Sequence, residues 1–114
     1  MRARTLCLAV LGLLGGPVLA QQAIPDASRG QHLFMADGCY ECHGTVGQGG
    51  AAGPPLAPGP PPAEAIAQYV RKPTGVMPPY VETVLGDRDV RDIQAWLDGL
   101  PQPRAAKDIS LLAP

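Results

Sequence analysis

Two of the three cysteines in this 114-residue chain lie three positions apart, in the segment GCYECHG at Gly38–Gly44. A histidine follows the second cysteine directly, so Cys39, Cys42 and His43 form the pattern C-x-x-C-H. Four kinds of site use cysteines at this spacing: a redox-active dithiol, a zinc site, an iron–sulfur cluster and a covalent haem attachment. Each kind requires a different fold around it, so the other residues of the chain decide among them.

The rest of the sequence lacks the partners that three of these sites need. A thioredoxin-like dithiol lies beside a βαβ pattern, and no such pattern is visible here. Iron–sulfur clusters and zinc sites need further ligands. The other histidine, His32, precedes the pair, and the third cysteine, Cys7, lies near the N-terminus. A plain disulfide between Cys39 and Cys42 leaves His43 without a role.

Haem attachment accounts for all three residues of the motif. The thiols of Cys39 and Cys42 add to vinyl groups of haem as thioethers, and His43 ligates the iron from the proximal side. A chain of this size buries little apolar surface by itself, and a large apolar cofactor supplies the missing core. The sequence therefore predicts one covalently attached haem c.

The first 20 residues predict a signal peptide. Arg2 and Arg4 precede the short apolar run Leu6–Leu14, and a plausible cleavage site ends at Ala20. Spanning a bilayer takes about 20 apolar residues, so this run is too short for a stable membrane anchor. We expect Cys7 to be lost with the signal and the mature protein to be periplasmic, since bacterial haem attachment follows export.

The mature chain carries a mild negative charge. Without residues 1–20 it holds seven Lys and Arg against ten Asp and Glu, a formal charge of −3. Nucleic-acid binding depends on a basic surface that neutralises phosphates. We therefore expect no nucleic-acid partner.

The mature chain predicts helices separated by loops rich in Gly and Pro, with no sign of a parallel sheet. Apolar residues at helical spacing indicate three main helices: about Ala27–Ala36, about Ala63–Arg71, and a last helix from the N-cap Asp87 to Gly99. Asp26 or Ser28 caps the first. The charged residues of the last helix should lie mostly outside: Arg88, Asp89, Arg91, Asp92 and Asp98.

The connecting segments are predicted with less regular structure. Thr45–Pro62 contains no helix or strand, but its prolines stiffen it, and we expect it to be held against another part of the domain. Val81–Leu85 is either a helical turn or a strand. We expect residues 21–100 to form one domain and residues 101–114 to form a mobile tail.

Four segments, taken in order, resemble the class I cytochromes c of bacteria. They are RGQHLFMADGCYECHG, GPPL at Gly53–Leu56, MPPY at Met77–Tyr80 and the last helix, DVRDIQAWLDGL. The resemblance runs from about Ser28 to Leu100. It implies an all-α protein with the small cytochrome c fold, in which three main helices wrap around one covalently bound haem.

The resemblance also implies the second axial ligand. Met77 precedes a proline, as in the family's Met-Pro element, and matches the methionine that binds iron opposite His43. Methionine ligation favours the reduced state and raises the potential. Met35 and His32 are the alternative candidates for this ligand, but both lie on the helix that leads into the C-x-x-C-H motif. We therefore expect Met35 in the core or on the surface and His32 on the surface.

Further positions match the family's packing. Pro54 matches the proline whose carbonyl accepts the N–H of the ligating imidazole, and Leu56 matches a residue that packs on the haem. Gly30 and Phe34 match the contact of the first helix with the last, opposite Trp96 or Leu97. The roles of Tyr69 and Tyr80 stay open between the haem border and the core.

These ligands predict the function. With His43 and Met77 on both axial positions, the iron has no site for a substrate, and no set of catalytic acids, bases or nucleophiles is visible. We expect a periplasmic electron carrier, not an enzyme, that exchanges single electrons with a redox protein donor and acceptor. The alternatives are a dedicated cytochrome subunit docked to a periplasmic dehydrogenase, and a five-coordinate haem enzyme or gas sensor in which Met77 is displaced.

Overall fold

The computed structural model describes residues 23–104 and 106–111. Within these ranges the helices are α1 (Ala27–Ala36), α2 (Cys39–His43), α3 (Ala63–Arg71) and α4 (Asp87–Asp98), followed by a 3₁₀ turn at Ala106–Asp108. The described ranges contain no strand, so the predicted all-α fold is confirmed. No described helix is long and apolar enough to cross a bilayer. The predicted signal peptide and Cys7 lie outside the described residues.

The three main helices lie where the sequence predicts them, with one difference in capping. The carboxylate of Asp26 accepts the backbone N–H of Arg29 at 3.0 Å, so Asp26 is the N-cap of α1. The N-cap of α4 is Gly86, not Asp87. Asp89 accepts the N–H of Gly86 at 2.8 Å. This bond moves the start of the helix one residue earlier and leaves Asp87 in the first turn, where negative charge is favourable.

The core lies where α1 crosses α4. A Cβ atom on Gly30 would lie 1.9 Å from the carbonyl oxygen of Asp92, so the two backbones touch at this point. The ring of Phe34, fully buried, is tilted against that of Trp96 with 5.0 Å between centroids. The predicted packing of the first helix on the last is therefore present. The buried apolar residues are Phe34, Ala57, Val70, Leu85, Val90, Ile93, Trp96 and Leu97.

A buried carboxylate fixes the start of α1 on α4. Asp92 is 1% exposed, although the sequence pattern placed it among the outward-facing charges. Its Oδ1 accepts the backbone N–H of Asp26 at 2.8 Å, and its Oδ2 accepts Nη1 of Arg29 at 2.5 Å. A buried charge is tolerated when it is paired and hydrogen-bonded in this way. Arg29 also pairs with Asp89, so three charged side chains join the two helices.

We expect Asp92→Ala to lower the free energy of unfolding by about 1.5 to 3 kcal/mol, the range for hydrogen bonds to a charged group. The substitution leaves the N–H of Asp26 without its acceptor and breaks one link from Arg29. Denaturant unfolding of the intact protein measures the change. Asp98→Ala is the matched control, because Asp98 is exposed at the end of the same helix. Equal stability of the two variants would contradict this role for Asp92.

Helix α3 and the turn after it close the other side of α4. Val70 on α3 is buried in the core. The backbone N–H of Leu85 donates to the carbonyl of Val81 at 3.0 Å, so Val81–Leu85 is a helical turn rather than a strand. Leu85 is 2% exposed and joins the core just before α4 begins.

Candidate functional site

Helix α2 is a short turn that holds the whole cysteine–histidine motif. It spans Cys39–His43, and both cysteines are free thiols. Gly38 enters it at φ 75° and Gly44 leaves it at φ 79°. Side chains rarely adopt these angles, so glycine suits both ends. Residues three and four apart share a helix face, which brings Cys39, Cys42 and His43 to one side. The sequence did not predict this helix.

The imidazole of His43 is buried and oriented by the loop that follows. His43 is 8% exposed, and its Nδ1 lies 2.8 Å from the carbonyl oxygen of Pro54. A carbonyl can only accept a hydrogen bond, so Nδ1 carries the proton and Nε2 keeps its lone pair. Such a bond fixes the tautomer and the ring orientation of a ligating histidine. The structure thus contains the Pro54 contact that the family resemblance implied.

The loop Thr45–Pro62 wraps around the end of α2, as the sequence predicted for a loop held against the domain. The N–H of Gly49 donates to the carbonyl of His43 at 2.7 Å. The N–H groups of Leu56 and Ala57 both donate to the carbonyl of Gly47, at 2.7 and 2.9 Å. These bonds bring Leu56, predicted to pack on the haem, against the apolar core, where it is half-buried.

Gly53 forms a close wall of the imidazole pocket. A Cβ atom on Gly53 would lie 3.0 Å from Nδ1 and Cε1 of His43 and 3.0 Å from the carbonyl oxygen of Cys42. Few real Cβ atoms come so close to a neighbour. The absence of a side chain therefore lets the backbone pack on the ring edge and present the Pro54 carbonyl to Nδ1.

Met77 lies on a loop between α3 and α4. It is half-buried and packs against the core cluster, while its neighbours Pro78 and Pro79 are exposed. The alternative ligands of the sequence analysis are on the surface of α1: Met35 is 39% exposed, and His32 is exposed. Of the two methionines in the described residues, Met77 is the one packed against the core. Its ligation of iron stays a prediction.

Tyr80 links the Met77 loop, residues 73–79, to the entrance of α2, the anchor helix that carries Cys39, Cys42 and His43. Its hydroxyl donates to the backbone carbonyl of Asp37 at 2.6 Å, across 43 positions of sequence. Asp37 is the C-cap of α1 and precedes Gly38 and Cys39. The role of Tyr80 could not be predicted from the sequence, because no local pattern relates it to Asp37. The structure places its hydroxyl at the entrance to α2.

Three groups near the entrance to α2, on Asp37, Cys39 and Tyr80, have raised pKa values. Burial raises the pKa of the Cys39 thiol to about 11, and the charge of Asp37 adds to the effect. Burial is also the main cause that raises the pKa of Tyr80, with smaller effects from Cys39 and Asp37. Burial likewise raises the pKa of Asp37. Its Oδ2 is buried and has no hydrogen-bond partner among the described residues.

The donor set fits haem better than a bare metal ion. No group of three or more His, Cys, Asp or Glu side chains in the described ranges could hold an ion. The motif offers two thiols on one helix face and one imidazole with a free Nε2, and Met77 adds a thioether among apolar side chains. A macrocycle that brings its own four nitrogen ligands needs only these groups from the protein.

Comparison with known proteins identifies one family. A family model described as "Cytochrome C oxidase, cbb3-type, subunit III" matches residues 25–97. The matched range begins before α1, includes the cysteine–histidine motif and Met77, and ends within α4. No curated protein and no solved structure matches the chain.

Proposed function

We propose that this chain is a periplasmic carrier of single electrons. It belongs to the c-type cytochrome family described as cytochrome c oxidase, cbb3-type, subunit III. Membership implies haem c and electron transfer with redox partners. Our proposal adds that one haem is attached through Cys39 and Cys42 and that His43 and Met77 are its axial ligands. When bound, haem c supplies a one-electron couple at its iron.

The hydrogen bond between His43 and Pro54 carries the assignment of the proximal ligand. Because Nδ1 is bound to the carbonyl at 2.8 Å, the imidazole is held in one orientation with Nε2 available. The bond to Pro54 thus fixes the orientation of His43, the proposed proximal ligand.

The Met77 loop supports ligation on the other axial position. Met77 is half-buried against the core, and the following prolines bias its backbone toward an extended form. A thioether ligand raises the reduction potential relative to a second histidine. Filling both axial positions from the protein leaves none for a substrate, which favours a carrier over an enzyme or a gas sensor.

The predicted signal peptide at residues 1–20 supports the periplasmic location. The family description names a subunit, and this favours a second candidate function: a cytochrome subunit held in a larger oxidoreductase, such as a dehydrogenase. Gel filtration of a native extract separates the two. A haem peak at the mass of a single chain supports the free carrier, whereas co-elution with a larger flavin, quinone, molybdenum or oxidase protein supports the subunit.

We expect the oxidised protein to show a methionine–iron charge-transfer band in the far red and to lose that band completely in Met77→Ala. Loss of the thioether should also lower the midpoint potential. Optical spectra and a redox titration measure both effects. Met35→Ala is the matched control and should keep the band, because Met35 is on the surface of α1. High-spin iron that readily binds carbon monoxide in the unsubstituted protein would overturn the proposed ligation.

A further inference from the structure

We propose that Tyr80 is a positioning residue whose hydroxyl latches the Met77 loop, residues 73–79, to the entrance of the anchor helix. The inference rests on the proposed ligation of iron by Met77. It adds that the position of Met77 relative to the iron depends on a hydrogen bond that Met77 itself does not make. This bond joins Tyr80 to Asp37, two residues far apart in the sequence.

Tyr80 is bound through all three of its polar groups. Its backbone N–H donates to the carbonyl of Val70 at 2.8 Å, and its carbonyl accepts Nη1 of Arg71 at 3.1 Å. Arg71 pairs in turn with Asp87 at the start of α4, at 3.1 Å. These contacts fix the backbone of Tyr80 on the end of α3. The hydroxyl bond to Asp37 then connects this fixed point to the anchor.

Each of the two residues joined by this hydrogen bond is close in sequence to a proposed haem-binding residue. Met77 lies three residues before Tyr80, and Cys39 lies two residues after Asp37. Gly38, between Asp37 and Cys39, has a left-handed backbone, so the direction of α2 depends on this connection. A displacement of Tyr80 from Asp37 therefore moves the Met77 loop away from the helix that holds Cys39, Cys42 and His43.

Apart from the packing of Met77 against the core, few contacts hold the Met77 loop. In the described part of the chain, residues 75–79 make no hydrogen bond to a helix. Val76 is 85% exposed, and Pro78 and Pro79 are exposed as well. Thr74 contacts the hydroxyl of Tyr69 at 2.8 Å, but Tyr69 is on α3, near in sequence, and this contact does not reach the anchor. The hydrogen bond from the Tyr80 hydroxyl thus ties the loop to Asp37, two residues before α2 begins.

Removing this hydroxyl should favour states in which Met77 has left the iron. The net loss of one hydrogen bond changes such an equilibrium by about three- to tenfold. Tyr80→Phe keeps the ring packed against the core and deletes only the bond to Asp37. Tyr69→Phe is the matched control, because it deletes a hydroxyl contact on the other side of the same loop.

The experiment compares three holoproteins: the unsubstituted protein, Tyr80→Phe and Tyr69→Phe. The first readout is the rate of carbon monoxide binding to the reduced protein, which requires that Met77 dissociate. The second is the pH at which the far-red band of the oxidised protein disappears. The third is amide hydrogen exchange of residues 75–81. We expect Tyr80→Phe to bind carbon monoxide about three to ten times faster, to lose the band at lower pH and to exchange faster, and Tyr69→Phe to match the unsubstituted protein.

The outcomes separate this inference from the proposed function. If the unsubstituted protein shows the far-red band and Tyr80→Phe binds carbon monoxide within twofold of it, the latch is overturned and the ligation stands. Equal acceleration in both Phe variants also overturns the latch. If the unsubstituted protein lacks the band, the ligation by Met77 is overturned, and this inference with it.

A second pair of variants covers the case in which Tyr80→Phe does not retain haem. Arg71→Gln removes the hydrogen bond to the carbonyl of Tyr80 together with the ion pair to Asp87, whereas Asp87→Asn weakens only the ion pair. Faster carbon monoxide binding in Arg71→Gln than in Asp87→Asn supports the role of Tyr80. Equal rates in the two variants count against it.

Discussion

Gly30→Ala is expected to lower the free energy of unfolding by about 3 kcal/mol or more, the upper range for overpacking a core. The new Cβ would lie 1.9 Å from the carbonyl oxygen of Asp92 and 2.8 Å from the backbone nitrogen of Ile93. Backbone atoms cannot relieve this overlap by a change of rotamer, as a side chain can. The two helices must therefore separate, and the packing of Phe34 on Trp96 and the carboxylate bonds of Asp92 are strained together.

The effect is expected to be large because the core of the domain lies at this crossing of α1 and α4. Small domains are stable by only about 5 to 15 kcal/mol, so the expected loss is a large part of the total. Gly99→Ala is the matched control, since its Cβ would meet no atom closer than 3.5 Å. Denaturant unfolding of both variants tests the prediction. A Gly30→Ala protein as stable as Gly99→Ala would show that the helices can move apart at little cost.

The helices could be predicted because their signals are local. Asp26 and Pro62 mark the starts of α1 and α3, and the apolar residues of α4 repeat at helical spacing. Helix α2 was not predicted as a helix, because five residues are too few to show a period. Its chemistry was nevertheless predicted, since C-x-x-C-H is a pattern of residue types that needs no knowledge of the backbone.

Contacts between residues far apart in the sequence could not be predicted from it. Asp92 has the charge of an outward-facing residue, and only the approach of Arg29 and Asp26, more than 60 positions away, explains its burial. Tyr80 and Asp37 likewise share no local pattern. Pro54 was implied by a resemblance to a family, not by its own neighbours. The sequence thus predicts which groups form the site, while the tertiary structure determines how they are held.

Replacing both cysteines, in Cys39→Ser/Cys42→Ser, is expected to abolish covalent haem completely. A serine hydroxyl does not form the thioether, so no bond to a vinyl group remains. The measurement is haem-stained electrophoresis under denaturing conditions, together with the mass of the purified protein. Since the haem is expected to supply much of the core, we also expect the variant to lose its cooperative thermal unfolding.

Two controls make this result specific to the proposed anchor. Cys7→Ser replaces the remaining cysteine and should leave haem attachment unchanged, because that residue is predicted to leave with the signal peptide. His43→Ala should keep a covalent link but lose the low-spin spectrum, since the imidazole ligates iron and forms no bond to the vinyl groups. Covalent haem retained in the double serine variant would overturn the anchor. Equal loss of covalent haem in His43→Ala would show that Cys39, Cys42 and His43 act as one attachment signal, in which anchoring and ligation cannot be separated.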